Sequence, residues 1–227
     1  MSFDIANFAV VNFLGGDLWI TETMRNLWII MAFMIGFAIV VRVKLTYTDK
    51  PRGFQNIVEF MVETFDRFVR NSAGQSLGYL GNWFFTVFIV IMLSNVSGIF
   101  SLRPPTADWA FNFPLAVVSL ILIHFMALKH RPKEHLKSLI EPFILFLPLN
   151  LIGELARPIS LSFRLFGNIL SGMILIGLIY ALMPWPLRLG VPIPLHAYFD
   201  LAMGILQAFI FTVLSLSFIG VSAGTTE

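Results

Sequence analysis

Of the 227 residues, 57% are hydrophobic and only 12% charged, about half the charged share of a soluble domain, which excludes a freely soluble globular fold. A net charge of +2 is too small to argue for nucleic acid, and the absence of cysteine excludes disulfides, thiolate nucleophiles and Cys-ligated metals. Several stretches of roughly 18 residues or more carry almost no charge, long enough to cross ~30 Å of hydrocarbon as helices. The expected class is therefore all-α, a polytopic membrane protein; the short alternating segments of a β-barrel are not seen.

Residues 3–20 are apolar but interrupted by Asp4, Gly15, Gly16 and Asp17, which reads as an interfacial segment too broken to span. With no Lys or Arg before this first apolar stretch, a cleaved signal peptide is not expected. The first span is predicted over 27–45, ending at Arg42 and Lys44. From Phe54 to Val69, Phe54, Ile57, Val58, Met61, Val62, Phe65, Phe68 and Val69 recur at spacings of three and four, with Gln55, Glu59, Glu63, Asp66 and Arg67 on the other side. That pattern predicts an amphipathic helix on the membrane surface.

A second span follows Trp83, with Ser94, Asn95, Ser97 and Gly98 near its end; the third runs over about 109–128 and leads into the basic loop 129–137. Two long helices close the chain, over 149–180 and 195–221. They would extend roughly 48 and 40 Å at 1.5 Å per residue, so tilt or kinking is expected. The expected organisation is one membrane domain over 1–227, with about five spans and one surface helix.

Charge orients it. Arg42, Lys44, Lys50 and Arg52 fill one loop, and Lys129, Arg131, Lys133 and Lys137 another, two spans later; Arg103 and Arg188 lie in the opposite loops. The positive-inside rule then predicts an integral membrane protein with its N-terminus outside and its C-terminus cytoplasmic. A bacterial plasma membrane is the expected location.

Polar residues inside such spans are expensive and point to function. On a helix, Arg157, Ser160, Arg164, Asn168 and Ser171 fall along one stripe, and Glu154 sits one turn before Arg157, close enough to pair with it. Arg157, beside Pro158, is also explained by snorkelling to the interface; Arg164, seven residues deeper, is less so. In the last span Asp200 and Gln207 share a face, with Ser215 further along. Facing Arg164 and Asn168, they would form a polar path between helices. His124 and His196 read as interfacial, and His130 and His135 as solvated loop residues; the four histidines lack metal-ligand spacing, and no metal or catalytic residue is expected.

At these residues the chain resembles a known family. "RPISLSFRLFGNILSG", 157–172, and "LQAFIFTVLSLSFI", 206–219, resemble subunit a of the F-type ATP synthase, the membrane stator component beside the rotating c-ring. "PRGFQNIVE", "SNVSGIF" and "PPTAD" extend the resemblance over essentially the whole chain. It implies that Arg164 is the essential arginine facing the ring, with Asn168 one turn on and Gln207 nearby on the final helix. Arg157 and Ser160 match the approach to the motif, and Asn95 and Asp108 polar positions around the second and third spans.

The implied function is ion translocation, H⁺ or Na⁺, without a tightly bound cofactor and without catalysis by this chain alone. The implied partners are the c-ring, the peripheral stalk b subunits, the remaining synthase subunits and membrane lipid. One departure stands out. Some family members carry a glutamate nine residues after the arginine and a histidine seven before the glutamine; here those positions are Met173 and Asp200. Asp200 thus becomes the candidate titratable group of one access channel. A self-contained secondary transporter would show two pseudo-symmetric halves, and no internal repeat is present.

Overall fold

The structure is a computed structural model that describes residues 7–13, 16–45, 53–100, 102–188 and 190–225. Asp4, Gly15, Lys50 and Arg52, used in the reading above, lie outside the described residues. Five helical segments are long and apolar enough to cross a membrane: Glu22–Lys44, Gln75–Phe100, Trp109–His130, Ile144–Leu182 and Trp185–Ala223. The chain is an all-α polytopic membrane protein.

Near the N-terminus, within the segment expected to be interfacial and too broken to span, the backbone forms a hairpin. Strands β1 (Asn7–Phe13) and β2 (Gly16–Thr21) pair antiparallel, a local hairpin that satisfies main-chain groups no span would cover. Thr21 ends it and caps helix α1 (Glu22–Lys44), its hydroxyl accepting from the Met24 amide at 3.3 Å. Glu22 in the first turn and Arg42 and Lys44 in the last complement the helix dipole.

Helix α2 (Phe54–Ala73) starts after Gly53 and stops at Gly74, whose φ of 98° suits glycine. Helix α3 (Gly81–Val96) is flanked by 3₁₀ turns at Gln75–Leu80 and Ser97–Phe100. Helix α4 (Trp109–His130) is followed by α5 (Pro132–Ile140). The basic segment read as a loop is therefore largely helical: Pro132 opens α5 at a position where its missing N–H costs nothing.

Helix α6 (Leu147–Leu182) runs 36 residues straight through Pro158, about 54 Å at 1.5 Å per residue. The last segment is composite: α7 (Trp185–Arg188), α8 (Pro192–His196), a π-helical turn over Ala197–Ala202, and α9 (Met203–Ala223).

By its internal contacts the chain divides into two compact units. The first comprises Met1–Thr46, Val90–Asp108 and Leu165–Gln207. It is notable for buried polar groups: Asn26, Asn95, Thr106, Asp200 and Gln207 are all buried. The second comprises Tyr47–Ile89, Trp109–Arg164 and Ala208–Glu227. Its apolar core joins Val69 and Ala73 of α2 to Leu77, Phe84, Ile123, Met126, Leu216 and Ile219.

Only the C-terminal half of α2 is covered by this core, with Phe65 stacked edge-on against Phe85 at 5.1 Å and Phe68 5.5 Å from Phe209. Ile57, Phe60 and Met61 of its N-terminal half stay exposed. That is an apolar stripe left for lipid or a partner.

Candidate functional site

The first polar cluster belongs to the first unit and centres on Asp200. The π turn carries this carboxylate, which is only 6% exposed. A charge so buried needs a partner, and it has one: His196 Nδ1 lies 2.6 Å from Asp200 Oδ2. The 3₁₀ backbone at Gly98 closes the other side. A Cβ there would stand 2.9 Å from the Asp200 carboxyl carbon, so a glycine is what lets the main chain approach. Wide π turns of this kind recur at functional sites.

Next to it, Asn95 ties α3 to α9. Its Nδ2 donates to the Gly204 carbonyl at 2.9 Å, and its Oδ1 accepts from the Thr106 hydroxyl at 2.5 Å. Gly204 permits that approach, since a Cβ would meet the Asn95 Cβ at 2.7 Å. One turn on, Gln207 is 1% exposed and its Oε1 accepts from Asn168 Nδ2 at 2.9 Å. The Gln207 Nε2 donor has no partner among the described residues, a costly state for a buried amide. The sequence reading groups Asn168 with Gln207, and the structure hydrogen-bonds them.

The second cluster belongs to the second unit. Arg157 donates to Glu154 Oε2 at 2.9 Å and lies over the Phe218 ring at 5.1 Å, the pairing anticipated from spacing. Arg164 is exposed and has no hydrogen-bond or ion-pair partner among the described residues. On α6 it shares an exposed face with the small residues Gly153, Ala156 and Ser160, and a Cβ at Gly153 would meet nothing within 4 Å. Small residues at such spacing let a facing helix come close, here directly onto a guanidinium.

Two of the cavities beside this helix have polar walls. One of about 690 Å³ is lined by Arg131, Glu134, His135, Asn150, Glu154 and Arg157 among others. The other, about 260 Å³, is lined by Gly153, Arg157, Ser160 and Arg164 among others. Arg157 and Gly153 border both, so polar walls lead from Arg131 toward Arg164. Asn150 holds the rim, its Nδ2 donating to the Leu139 and Glu141 carbonyls at 2.9 and 3.0 Å.

The profile of the family described as "ATP synthase A chain" matches residues 24–220, most of the chain. The chain belongs to the ATP synthase A chain family. It is 32% identical to "ATP synthase subunit a, sodium ion specific" of Propionigenium modestum, over 92% of this chain and 76% of that protein. It is 33% identical to "ATP synthase subunit a" of Acidothermus cellulolyticus, over 98% and 83%. It is also 35% identical to "ATP synthase subunit a 2" of a Bradyrhizobium species, over 92% of each. As an ATP synthase A chain, this protein is the ion-translocating stator subunit of the F-type synthase, part of the CF(0) sector, and it assembles with the other synthase subunits.

For this A chain, three placements go beyond the sequence reading. His196, read as interfacial, is the partner of Asp200; the signal was available as a His four residues before an Asp on a helix. His124, read as interfacial, and His135, read as a loop residue but carried on α5, are in direct contact, His124 Nδ1 to His135 Nε2 at 3.1 Å. Ser215, placed on the Gln207 face by spacing, borders a small void with Arg157 and Pro158 in the second unit. Asp108 closes the 3₁₀ turn Pro105–Ala107, its amide donating to the Pro105 carbonyl at 3.1 Å. Met173, half-buried on α6, offers no titratable group.

Proposed function

We propose that the chain, with the c-ring, forms two offset half-channels for H⁺ or Na⁺, and that Arg164 is the fixed charge dividing them. The observation that carries this reading is an unpaired, exposed arginine set in a track of small residues on a helix of this family. A lone guanidinium in a membrane seam costs from ~2.5 to more than ~10 kcal/mol unless a carboxylate arrives to meet it. Each ring subunit would bring one. Neutral while it faces lipid, the carboxylate ionises opposite Arg164 and gives up its ion to one aqueous path. Arginine suits the task because it stays protonated at every working pH and does not relay protons.

The outer path runs past Asp200, His196 and Asn95, where the buried carboxylate concentrates cations. Asn168, one turn on from Arg164 along α6, and its partner Gln207 belong to this outer path. The inner path uses the two cavities bordered by Glu154, Arg157 and Ser160. Ser215 and Asp108 are supporting polar positions. One relative is named sodium ion specific, so Na⁺ stands beside H⁺ as cargo.

The peripheral stalk b subunits and the c-ring are the direct partners, α2 lies on the membrane surface, and catalysis belongs to the rest of the complex. The membrane is a bacterial plasma membrane, the basic loops facing the cytoplasm and the N-terminus outside.

Because the chain has no cysteine, single thiols test this cleanly. A cysteine replacing Gly153 should react with a charged methanethiosulfonate added on the side of the catalytic head, and that reaction should stop ATP-driven ion flux. A cysteine at Gly36, on the outside of α1, should be inert to the same reagent. Reaction of Gly153→Cys without effect on flux would reject the inner path.

A further inference from the structure

The wall of the 690 Å³ cavity carries a feature the proposed ion path does not use: His135, which is paired with His124 just behind it. His124 comes from the end of α4 and His135 from α5, and their rings meet through Nδ1 and Nε2 at 3.1 Å. The other nitrogen of His124, Nε2, stands 4.0 Å from Glu154 Oε2, the carboxylate that Arg157 holds at 2.9 Å. The four side chains form a row from α5 through α4 to α6.

Charge around the row is balanced. α5 and the residue before it contribute Glu134 and Arg131, which pair at 3.1 Å, and α6 contributes Glu154 and Arg157. From α9 the cavity receives only uncharged side chains, Phe218 and Ser222 among them. With both imidazoles neutral, two cations meet two anions and the net charge is zero.

A nitrogen–nitrogen contact of this length holds one proton, donated by one ring and accepted by the other. The pair can take up one further proton: His124 then donates through both nitrogens, to His135 and toward Glu154. A second would set two N–H groups against each other, so the pair has two charge states, zero and +1.

We infer that His124 and His135 are a positioning pair that sets the charge of the inner path through Glu154 and Arg157, and that they slow ion passage when the medium on the head side turns acidic. The inference rests on the reading that this cavity is part of that path. When His124 is protonated it becomes a second cationic partner for Glu154, and Arg157 loses part of its compensation. Arg157 borders both cavities, so the uncompensated charge stands where a cation has to pass. Burial, the His124 charge and Arg157 lower the His135 pKa against an opposing pull from Glu154.

The test uses the complete synthase in liposomes with its head outward, so that the bath sets the head-side pH, and reads ATP-driven membrane potential with a voltage-sensitive dye. The measured quantity is the initial rate of the His124→Gln/His135→Gln double variant divided by that of the parent. This ratio should rise about three-fold or more between about pH 7.5 and pH 5.5, because only the parent acquires the retarding charge. A ratio that stays constant, or falls as the bath is acidified, would overturn the inference. If the double variant fails to assemble, His135→Gln alone poses the same question. Gly153→Trp separates the two claims: it should block pumping by filling the path. Normal pumping by that variant would remove the inner path itself, whereas blockage together with a flat ratio would remove only the histidine pair's role.

Discussion

His196 Nδ1 and Asp200 Oδ2 stand 2.6 Å apart across one helical turn, and the carboxylate is otherwise closed off by the backbone at Gly98. In the proposed outer path this pair would supply the titratable group, since position 173 is methionine. Removing the imidazole leaves a buried carboxylate without its counterpart. His196→Ala should lower ATP-driven pumping roughly ten-fold, the rate equivalent of about 1.4 kcal/mol, and His196→Asn should recover part of it by restoring a donor. Unchanged flux in His196→Ala would show that Asp200 does not depend on this partner.

Gly98→Ala addresses the same carboxylate from the other side. The new Cβ would lie 2.9–3.0 Å from the Asp200 carboxyl atoms, so either the 3₁₀ turn or the carboxylate moves, at a cost of about 1–3 kcal/mol. A lower thermal midpoint of the purified complex and slower pumping are expected together. Gly36→Ala, in the interior of α1 where a Cβ meets nothing within 4 Å, is the matched control and should keep pumping at the parental rate and leave stability unchanged or raise it by up to about 1 kcal/mol.

Asn168 and Gln207 should behave as one unit. Each single alanine substitution breaks the 2.9 Å hydrogen bond between them, so the double variant should pump better than the product of the two single effects. A coupling of about 1 kcal/mol in a double-mutant cycle on pumping rate is expected. Strict additivity would mean that they act separately.

The histidine on α5 makes stability depend on pH. Its folded pKa is lowered from 6.5, chiefly by burial, then by the charge of His124. A lowered histidine pKa means that the unfolded segment binds the extra proton more readily. The contribution is therefore complete above about pH 6.5 and is lost as pH falls through the depressed value. Amide exchange in α5, corrected for intrinsic rates, should be faster at about pH 5.5 than at pH 7.5. His135→Asn should remove that difference.

The spans were legible because lipid imposes a simple demand: long apolar runs with every backbone group bonded internally. Glu154–Arg157 was legible because helical spacing fixes who can meet on one helix, and Asn168 with Gln207 because the family resemblance implies that their two helices face each other. What escaped the sequence depended on departures from the regular helix. The π turn at Ala197–Ala202, which carries Asp200, and its close approach to the backbone at Gly98 left no mark in the spacing of apolar residues. The contact of His124 with His135 depends on α5 folding back after Arg131, and a basic, proline-containing segment gave no apolar period from which to read that. The hairpin β1–β2 likewise rests on main-chain pairing in a segment whose apolar residues have no clean alternation.

The central claim is that Arg164 is the fixed cation without which ions do not cross. The most direct measurement is ATP-driven ion flux in liposomes carrying the complete synthase with Arg164→Ala, alongside a check that the complex is fully assembled and its head still hydrolyses ATP. Assembly intact and pumping abolished is the predicted result. An assembled complex that pumps at the parental rate would contradict the account.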